Sequence, residues 1–425
     1  MKILWMCNVK ISKISEIQEE VNKTTRGGWL DGVSNALIKS DNVSLVCCYP
    51  DYNNKNSQNG RYENFTYYSV PMTVDEAERE MSLDSSSCES FKMILLKEKP
   101  DIVHFFGTEF IYTYYFIKVA KLLSYNNNII ISVQGLVSVY AKHYFGGLSA
   151  SVYKKRTLSE FIRNSSIVEN QKKIAHRGNY EINAIKSINH IIGRTSWDYA
   201  CAKMMNPCVI YHFCNETLRK EFYSGIWRYN DCNPYQIVLS QGAVPYKGLH
   251  MVIEAVNLIK NEFPNLKVVV AGDNIFEGNF LKGNTYGNYV KNLINKYRLN
   301  QNIEFLGNID ANTMKKNMLK SNLFICPSNI ENSPNSLGEA MILGVPCIAA
   351  DVGGVQDMMN RNKEGFIYPY EEFYKLAYYI KDVFNNPKLA ESIGENARKH
   401  ALKTHDPNEN NNTLIKIYEE LLKNK

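Results

Sequence analysis

The amino-acid sequence predicts an α/β protein built from two doubly wound, parallel-sheet domains that face each other across a cleft. A chain of 425 residues is too long for one ordinary compact domain. Short apolar runs alternate with helical patterns, as in parallel sheets covered on both faces. This plan occurs twice, and the stretch SGIWRYNDCNP breaks it in between. We therefore expect domains over residues 1–228 and 229–409, with a helix over 410–425 as a candidate to pack back on the first domain.

The first series begins with a buried strand and a glycine-containing loop that opens a helix. The predicted strands are KILWMCNV, SLVCCY, FTYYSV, DIVHFF, NIIISV and HIIGR. The predicted helices include RGGWLDGVSNALIKS, ESFKMILLKEKP and FIKVAKLLSY. Short apolar strands separated by helices predict a parallel sheet covered on both faces.

The second series repeats this order with its own first strand. Its predicted strands are QIVLSQG, LKVVVAGD, IEFLGN, LFICPS and PCIAAD. Its predicted helices are GLHMVIEAVNLIKNEF, NYVKNLINKYRL, GEAMILG, EEFYKLAYYIKDVF and KLAESIGENARKHAL. In open parallel sheets a ligand lies beyond the carboxyl ends of the strands, so the loops that follow strands are the ones to inspect.

Composition and charge favour a folded cytoplasmic protein. Apolar residues make up 44% and the ten cysteines contain no CxxC pair, as expected of free thiols in a reducing compartment. No secretory signal and no apolar run of membrane-spanning length is evident. The net charge of +6 is concentrated in residues 151–177, which hold seven basic and two acidic residues. A solvated helix face and contact with an anionic membrane surface or acceptor phosphate both remain open for this stretch. Peripheral association with the inner face of the membrane stays open too, and we expect no nucleic-acid partner.

In each predicted domain, one glycine-containing loop follows the first strand. Gly27 and Gly28 precede a helix, where backbone amides can approach a phosphate closely. Lys247 stands beside Gly248 directly before another helix and could serve as a phosphate counter-charge. Taken alone, a tight turn and a surface lysine are the plainer interpretations.

A third loop, ENSPNSLGEAMILGVP, carries two glutamates eight positions apart. Asn332 or Ser333 is the expected N-cap and Pro334 the first helical residue. The amides of Asn335, Ser336 and Leu337 would then be free to bind an anion. Glu331 would lie outside the helix and Glu339 more than a turn inside it. The two carboxylates therefore flank an anion-binding helix terminus rather than form an acid–base pair.

A fourth loop, AADVGGVQDM, contains Gly353 and Gly354 before a further helix. Glycines, helix termini and a lysine around one cleft point to a diphosphate ligand. The sequence contains no DxD pair, the expected holder of Mg²⁺ or Mn²⁺ on such a ligand. We therefore expect lysine and amide dipoles to meet the phosphate charge, with no cofactor and no obligatory metal.

These motifs together resemble the retaining GT-B glycosyltransferases of group 1, or family 4. The similarity rests on E-x7-E at Glu331 and Glu339, on the Lys247–Gly248 pair and on the Gly27–Gly28 loop. It implies a GT-B fold of two Rossmann-like domains, and transfer of a sugar from a nucleotide-sugar to a hydroxyl with the anomeric configuration retained. It also implies that Lys247 holds the donor diphosphate, Glu331 the transferred sugar and Glu339 the ribose. The amides after Ser333 and those of Gly27 and Gly28 would contact phosphate or sugar.

Two positions depart from the family pattern. Gln241 stands where many members have an arginine, and Gln134 where many have a histidine at a strand end. Glutamine can donate a hydrogen bond but carries no charge. Arg194 and Arg26 are candidate replacement cations. His104, His143 and Arg194 are the acceptor-side candidates, although a structural role for either histidine is the plainer interpretation.

The resulting hypothesis is a hexosyltransferase with Glu331, Lys247 and Gln134 as catalytic candidates. The donor would be a UDP- or GDP-sugar, and the acceptor a glycan or a lipid-diphosphate-linked oligosaccharide. The stretches QGLVSVYAKHY and GRTSWDYA resemble a subgroup that makes bacterial surface polysaccharide such as capsule or O-antigen. Two alternatives stay open: a nucleotide-sugar epimerase or hydrolase of GT-B shape, and a nucleotide-sugar-binding partner without catalysis.

Overall fold

The computed structural model describes residues 1–18, 28–40, 42–276 and 283–423. Its strands, in chain order, are β1 (Lys2–Cys7), β2 (Ser44–Asp51), β3 (Asn59–Tyr62), β4 (Phe65–Pro71), β5 (Ile102–Phe106), β6 (Ile129–Ser132), β7 (His190–Gly193), β8 (Ile210–Phe213), β9 (Gln236–Leu239), β10 (Lys267–Ala271), β11 (Ile303–Gly307), β12 (Leu323–Cys326), β13 (Cys347–Ala350) and β14 (Phe366–Tyr368).

The helices lie between these strands. In chain order they are α1 (Ser12–Ile17), α2 (Gly28–Ile38), α3 (Val74–Glu78), α4 (Ser86–Glu98), α5 (Ile111–Leu122), α6 (Val137–His143), α7 (Ala150–Tyr153), α8 (Leu158–Arg163), α9 (Ile167–Lys186), α10 (Ser196–Met205), α11 (Leu249–Ile259), α12 (Thr285–Lys296), α13 (Ala311–Leu319), α14 (Asn335–Leu343), α15 (Val355–Met358), α16 (Phe373–Asn385), α17 (Pro387–Thr404) and α18 (Pro407–Lys423).

The strands form two sheets, and the predicted class of two parallel-sheet α/β domains is confirmed. The first sheet has the order β3-β4-β2-β1-β5-β6-β7-β8, and only the pairing of β3 with β4 is antiparallel. The second has the order β11-β10-β9-β12-β13-β14, with parallel pairing throughout. Its first strand lies in the middle and the strand order reverses there, which is the doubly wound topology.

The chain divides into two compact units whose boundaries are discontinuous in sequence. Unit 1 comprises Met1–Tyr140, Lys173–Leu218 and His405–Lys425. Unit 2 comprises Ala141–Lys172 and Arg219–Thr404. The sequence analysis assigned residues 1–228 to the first domain, whereas Ala141–Lys172 cluster with the second unit. These residues fold as α7, α8 and the start of α9, and they pack on α12 through hydrogen bonds described below.

Unit 1 has an apolar core on each face of its sheet. Along β1 the side chains of Leu4 and Met6 enter one core, and those of Ile3, Trp5 and Cys7 enter the other. This period of two with both sets buried is typical of a central parallel strand. The second core is completed by four side chains of α18, namely Leu414, Ile417, Tyr418 and Leu421.

Candidate functional site

The topological switch point of unit 2 lies between β9 and β12, and in open parallel sheets a ligand binds at such a point, beyond the carboxyl ends of the strands. The loop after β9 carries Lys247, and the loop after β12 carries Glu331. The start of the loop after β9 is joined to the first turn of α14, because the Ser240 hydroxyl donates to the Ser336 hydroxyl at 3.0 Å. The sequence motifs that stand 84 positions apart therefore meet at one place.

A tight turn places Lys247 at this switch point. Residues Pro245–Lys247 form a single 3-10 turn that ends at Gly248. Gly248 has a φ of +72° and a Cβ there would lie 1.9 Å from the Pro327 carbonyl oxygen. Only glycine allows this close contact without displacing the backbone. The Asn329 amide also donates to the Tyr246 carbonyl at 2.7 Å, which fixes the turn against the loop after β12.

Lys247 and Glu331 form an ion pair at this point. The Lys247 Nζ donates to Glu331 Oε1 at 2.5 Å, and the side chains are 19% and 9% exposed. Burial by itself lowers the pKa of the Lys247 ammonium, but the Glu331 carboxylate and Tyr246 outweigh burial and raise it. The lysine therefore stays charged at neutral pH. The structure thus brings a cation and a carboxylate together at neighbouring strand ends, a pairing that the sequence analysis did not predict.

Gly353 and Gly354 pack against the backbone of Glu331. The Gly354 amide donates to the Glu331 carbonyl at 3.1 Å. Gly353 has a φ of +52°, and a Cβ there would lie 1.8 Å from the same carbonyl oxygen. The close approach that the sequence predicted for this glycine pair is therefore an approach to the backbone of Glu331. A direct contact of the pair with a ligand stays a prediction.

The helix after Glu331 begins one residue later than the sequence predicted. Its first residue is Asn335 and its N-cap is Pro334, so the predicted cap at Asn332 or Ser333 is wrong. Pro334 adopts an extended conformation with a ψ of 113°, and its carbonyl accepts from the amides of Leu337 at 3.0 Å and Gly338 at 3.3 Å. The Leu337 amide is therefore satisfied. Among the described residues no acceptor stands opposite the amides of Asn335 and Ser336, which leaves two donors at the terminus of α14.

Glu339 lies on the first turns of α14 and is held by an arginine that the sequence analysis missed. Arg219 Nε and Nη2 donate to the two carboxylate oxygens of Glu339 at 2.6 and 2.7 Å. Glu339 is only 2% exposed. Burial raises the pKa of Glu339, and the bidentate bonds from Arg219 act in the opposite direction. The surrounding stretch TLRKEF has no pattern that marks Arg219, since the pairing spans 120 positions.

A scan of the chain against known protein families finds a match over residues 230–400 to the model described as "Glycosyl transferases group 1". Over these residues the chain is similar to group 1 glycosyl transferases. All of Lys247, Glu331 and Glu339 lie within this matched range, and so do the two free amides of α14.

Among curated proteins, the chain resembles the capsular polysaccharide biosynthesis glycosyltransferase CapM of Staphylococcus aureus. The two are 28% identical over 158 residues, which is 36% of this chain and 37% of CapM. The chain therefore spans well under half the length of this curated relative, and the same holds for the putative glycosyltransferase YtcC of Bacillus subtilis.

Solved structures share the fold over the whole chain. The sucrose-phosphate synthase of Thermosynechococcus elongatus covers 100% of both chains with a TM-score of 0.71 and 14% identity. Anabaena HepE, solved with UDP-glucose, covers 99% of this chain and 100% of its own, with a TM-score of 0.69 and 13% identity. At this level of identity the likeness establishes the GT-B fold and nothing finer.

Two further residues that the sequence analysis singled out, Gln241 and His143, also lie in unit 2. Gln241 is exposed in the loop after β9, between β9 and the Lys247 turn. His143, at the end of α6, belongs to unit 2, and its carbonyl accepts from Asn329 Nδ2 at 3.1 Å. Burial, with a smaller contribution from Lys142, lowers the pKa of His143. The structure thus places His143 beside the loop that leads to Glu331.

The backbone after His143 packs on the Lys247 turn. Gly146 has a φ of +56°, and a Cβ there would lie 2.3 Å from the Pro245 carbonyl oxygen. The Gly146 carbonyl accepts from the Tyr370 hydroxyl at 2.7 Å and is hydrogen-bonded to His250 Nε2 at 2.8 Å. Sequence periodicity could not reveal this, because residues 141–147 lie about a hundred positions before the Lys247 turn in the chain.

In unit 1, Gln134 and Arg194 share one carboxylate that the sequence analysis did not single out. Gln134 Nε2 donates to Glu216 Oε1 at 2.6 Å, and Arg194 forms an ion pair with the other oxygen of Glu216. Arg194 is 7% exposed and also donates to the Val133 carbonyl at 3.2 Å. Arg194 therefore lies inside unit 1, next to a cavity of about 40 Å³. Its charge is balanced locally by Glu216.

His104 is a core residue. It is fully buried in β5, its Nδ1 is 2.6 Å from the Tyr418 hydroxyl and its Nε2 is 2.8 Å from the Ser132 hydroxyl. Burial lowers the pKa of His104 to about 3, so the ring is neutral. The structure places it among the side chains that attach α18 to the sheet, away from any surface that an acceptor could reach. Gly28 is the first residue of α2, whereas Gly27 and Arg26 lie outside the described residues.

A carboxylate at the switch point of unit 1 was also missed. Glu109 follows β5, next to β1, and its two oxygens accept from Asn8 Nδ2 at 2.7 Å and from the Gly135 amide at 3.1 Å. Burial raises the pKa of Glu109, and these bonds oppose the rise. Both oxygens are occupied by the protein itself, which indicates a role in holding three strand ends together.

Two surveys of the described residues bear on metals and membranes. No three His, Cys, Asp or Glu side chains in these ranges are grouped so that they could hold a metal ion. None of the helices formed by these residues is both long and apolar enough to cross a membrane. Independence from metal stays a prediction.

Proposed function

We propose that the protein is a retaining glycosyltransferase that moves a hexose-type sugar from a nucleotide-sugar to a hydroxyl of a glycan or lipid-linked oligosaccharide. We further propose that it acts in the synthesis of a surface polysaccharide such as capsule or O-antigen. One observation carries the transferase proposal: a charged lysine, a carboxylate and two free helix amides converge at the switch point of unit 2. The arrangement fits a ligand with a diphosphate in its middle.

The roles in the donor half of the reaction are those that the resemblance to group 1 glycosyltransferases implies. Lys247 and the amides of Asn335 and Ser336 would bind the diphosphate, since both bring positive charge or dipole to one point. Glu331 would accept hydroxyls of the sugar, and Glu339 those of the ribose. Anabaena HepE was solved with UDP-glucose, which supports a UDP-sugar as the first donor to test. CapM is named for capsular polysaccharide synthesis, which supports that pathway class.

The proposed transfer breaks the bond between the anomeric carbon and the phosphate oxygen, and the electron pair leaves with the nucleoside diphosphate. The acceptor oxygen bonds to the same face of the sugar, so configuration is retained. Its proton passes to the departing phosphate oxygen. The described protein groups then act by positioning and by stabilising the charge that develops on the diphosphate.

Turnover of Lys247→Ala tests the site. With a UDP-, GDP- or ADP-sugar chosen by thermal shift, we expect transfer to fall on the order of a hundredfold, because a preorganised cation is lost from the developing charge. Nucleotide affinity should weaken as well. Lys388→Ala, an exposed lysine on α17, is the matched control and should keep wild-type rates.

Glu331→Gln separates the roles of the two carboxylates. We expect it to reduce turnover more than nucleotide affinity, whereas Glu339→Ala should mainly weaken the nucleotide. Wild-type transfer by Lys247→Ala would refute the proposed site. Donor hydrolysis or isomerisation without any acceptor would refute the transferase and favour an epimerase or hydrolase. Activity in the presence of EDTA checks the expected independence from metal.

A further inference from the structure

The segment of unit 2 formed by α7, α8 and their connection exposes an unusual combination of side chains. On α8, Leu158, Phe161 and Ile162 are 60%, 57% and 74% exposed. They stand at positions i, i+3 and i+4 and therefore share one helix face. Around them are four exposed basic residues, which together with these three define the α8 face: Lys154, Lys155, Arg156 and Arg163.

The acidic residue within this segment does not offset the positive charge at the surface. Glu160 is 4% exposed, and its oxygens accept from the Thr285 amide at 2.8 Å and the Thr285 hydroxyl at 2.5 Å. It also closes the capping box of α8 with Thr157. Glu160 thus points inward and anchors the segment to α12. Outside this segment, a Glu169 carboxylate oxygen lies 3.9 Å from Arg156 Nη1.

A cavity with both apolar and polar lining adjoins the α8 face. It has a volume of about 330 Å³, and its lining includes Lys155, Arg156, Asn288, Tyr289 and Asn292. Two cations, two amides and a phenol provide donors for an anionic group. The Lys155 carbonyl accepts from the Thr285 hydroxyl at 3.3 Å, so one wall of the cavity is fixed to α12.

We propose that the α8 face docks on an anionic lipid bilayer, with the three apolar side chains at the acyl boundary and the cavity occupied by a lipid phosphate. Apolar side chains that would otherwise face water gain by entering the bilayer interface. Basic residues around them are attracted to anionic headgroups. Arg156 lies 4.5 Å over the Phe161 ring, which keeps cation and aromatic ring at one depth.

This docking has a geometric consequence within unit 2. The chain that carries the α8 face begins with the residues around Gly146, which contact the Lys247 turn. Docking would therefore hold the proposed donor site at a fixed height above the lipid surface. The proposed membrane docking goes beyond the proposed transfer reaction and does not depend on its chemistry.

Vesicle sedimentation of the full chain, without donor or acceptor, tests the proposal. We expect binding to vesicles of phosphatidylcholine with 30% phosphatidylglycerol, and little binding to phosphatidylcholine alone. Replacing Lys154, Lys155 and Arg156 with glutamine should weaken binding on the order of a hundredfold, since each cation near the surface contributes about 1 kcal/mol. Raising the salt concentration should weaken the wild-type protein in the same direction.

The apolar contribution has its own variant and control. Phe161→Ser with Ile162→Ser should weaken binding by at least about tenfold. Phe213→Ser with Ile210→Ser is matched in residue type, and these side chains on β8 are 59% and 50% exposed. For the charges, Lys388→Gln, Lys403→Gln and Lys416→Gln remove as many exposed cations elsewhere. Both controls should bind like wild type.

Three outcomes would overturn the proposal. The first is equal binding of the wild-type protein to vesicles with and without phosphatidylglycerol. The second is a loss of vesicle binding in the control variants as large as that in the α8 variants. The third is binding of soluble glycerol phosphate in the cavity without binding to vesicles, which would indicate an anion site and no docking surface. Nucleotide affinity, measured in parallel, should stay unchanged in the α8 variants. A failure of the transferase proposal would leave the vesicle result as it is.

Discussion

At the scale of single residues, each glutamate of the E-x7-E motif has its own basic partner. Glu331 pairs with Lys247, and Glu339 pairs with Arg219. A buried carboxylate without a partner would be costly, so these pairs explain how two acidic side chains are kept next to an anion-binding helix terminus. They also mean that, in each of these two pairs, the basic side chain balances the charge of the glutamate before any ligand binds.

Arg219 is therefore expected to act as a positioning residue for Glu339. Arg219→Ala would leave a buried carboxylate unpaired, and we expect the free energy of unfolding to fall by about 3 kcal/mol. Nucleotide affinity should weaken about as much as in Glu339→Gln, because both variants disturb the same carboxylate. The double variant should add little to either single variant.

Calorimetric titration with the nucleotide and denaturant unfolding together check this expectation. Lys399→Ala breaks an ion pair with Glu395 in which both side chains are more than two thirds exposed, and it should change neither measurement. Additive losses in the double variant would show that Arg219 and Glu339 act separately, against the pairing described here.

At the scale of elements, the strand ends of unit 2 are shaped by glycines that permit close backbone contacts. Gly353→Ala is expected to displace Glu331, since the added methyl would lie 1.8 Å from the Glu331 carbonyl oxygen. Gly307→Ala is the matched control: it has a φ of +68° but no atom within 4 Å of the added methyl. Both variants bear the cost of a left-handed alanine, about 1 kcal/mol.

Thermal unfolding and sugar-transfer rates distinguish these two glycine variants. We expect Gly353→Ala to lose both stability and transfer, and Gly307→Ala to lose only the stability that its backbone conformation costs. Equal behaviour of the two variants would show that the contact with Glu331 is irrelevant to the site.

The elements themselves differ in how readily the sequence predicts them. Strands such as β5, β6 and β12 were predicted because they are continuous apolar runs next to turn residues. The strands β3, β8 and β14 were missed. Exposed side chains on β3 and β8 give no clear alternation, and β14 has only three residues. The lysine and first glutamate of the site were predictable because each follows a strand whose end falls at the switch point.

At the scale of the whole molecule, partners that are distant in sequence could not be predicted. Arg219 with Glu339 and Glu216 with Arg194 are pairs whose members carry no local pattern. The assignment of Ala141–Lys172 to unit 2 likewise rests on contacts with α12 and with the Lys247 turn. The sequence shows local periodicity, whereas these ion pairs and this assignment to a unit depend on tertiary packing.

Of the buried histidines among the described residues, His104 in unit 1 and His250 in unit 2 make stability depend on pH. Burial lowers the pKa of His104 to about 3 and that of His250, despite its bond to Gly146, to about 4. An unfolded histidine titrates near pH 6.5, so the unfolded chain binds more protons than the native one between these values. Stability is therefore full above about pH 6.5 and is lost as the pH falls towards 4.

Denaturant unfolding between pH 7 and pH 4.5 checks this dependence. His104→Gln should show a shallower decline than the wild-type protein, by about 1.4 kcal/mol per pH unit. His176→Gln, at an exposed position, serves as the control and should decline like wild type. A His104→Gln slope identical to that of the wild type would contradict the neutral, buried state of His104.

The discontinuous make-up of the units also constrains the order in which a nascent chain can fold. Ala141–Lys172 leave the ribosome long before α12, their partner in unit 2. The core of unit 1 lacks Leu414, Ile417, Tyr418 and Leu421 until α18 has been synthesised. Neither unit can therefore complete its packing during translation of its own first segment. We expect incomplete chains that end before α18 to expose an apolar sheet face and to depend on chaperones.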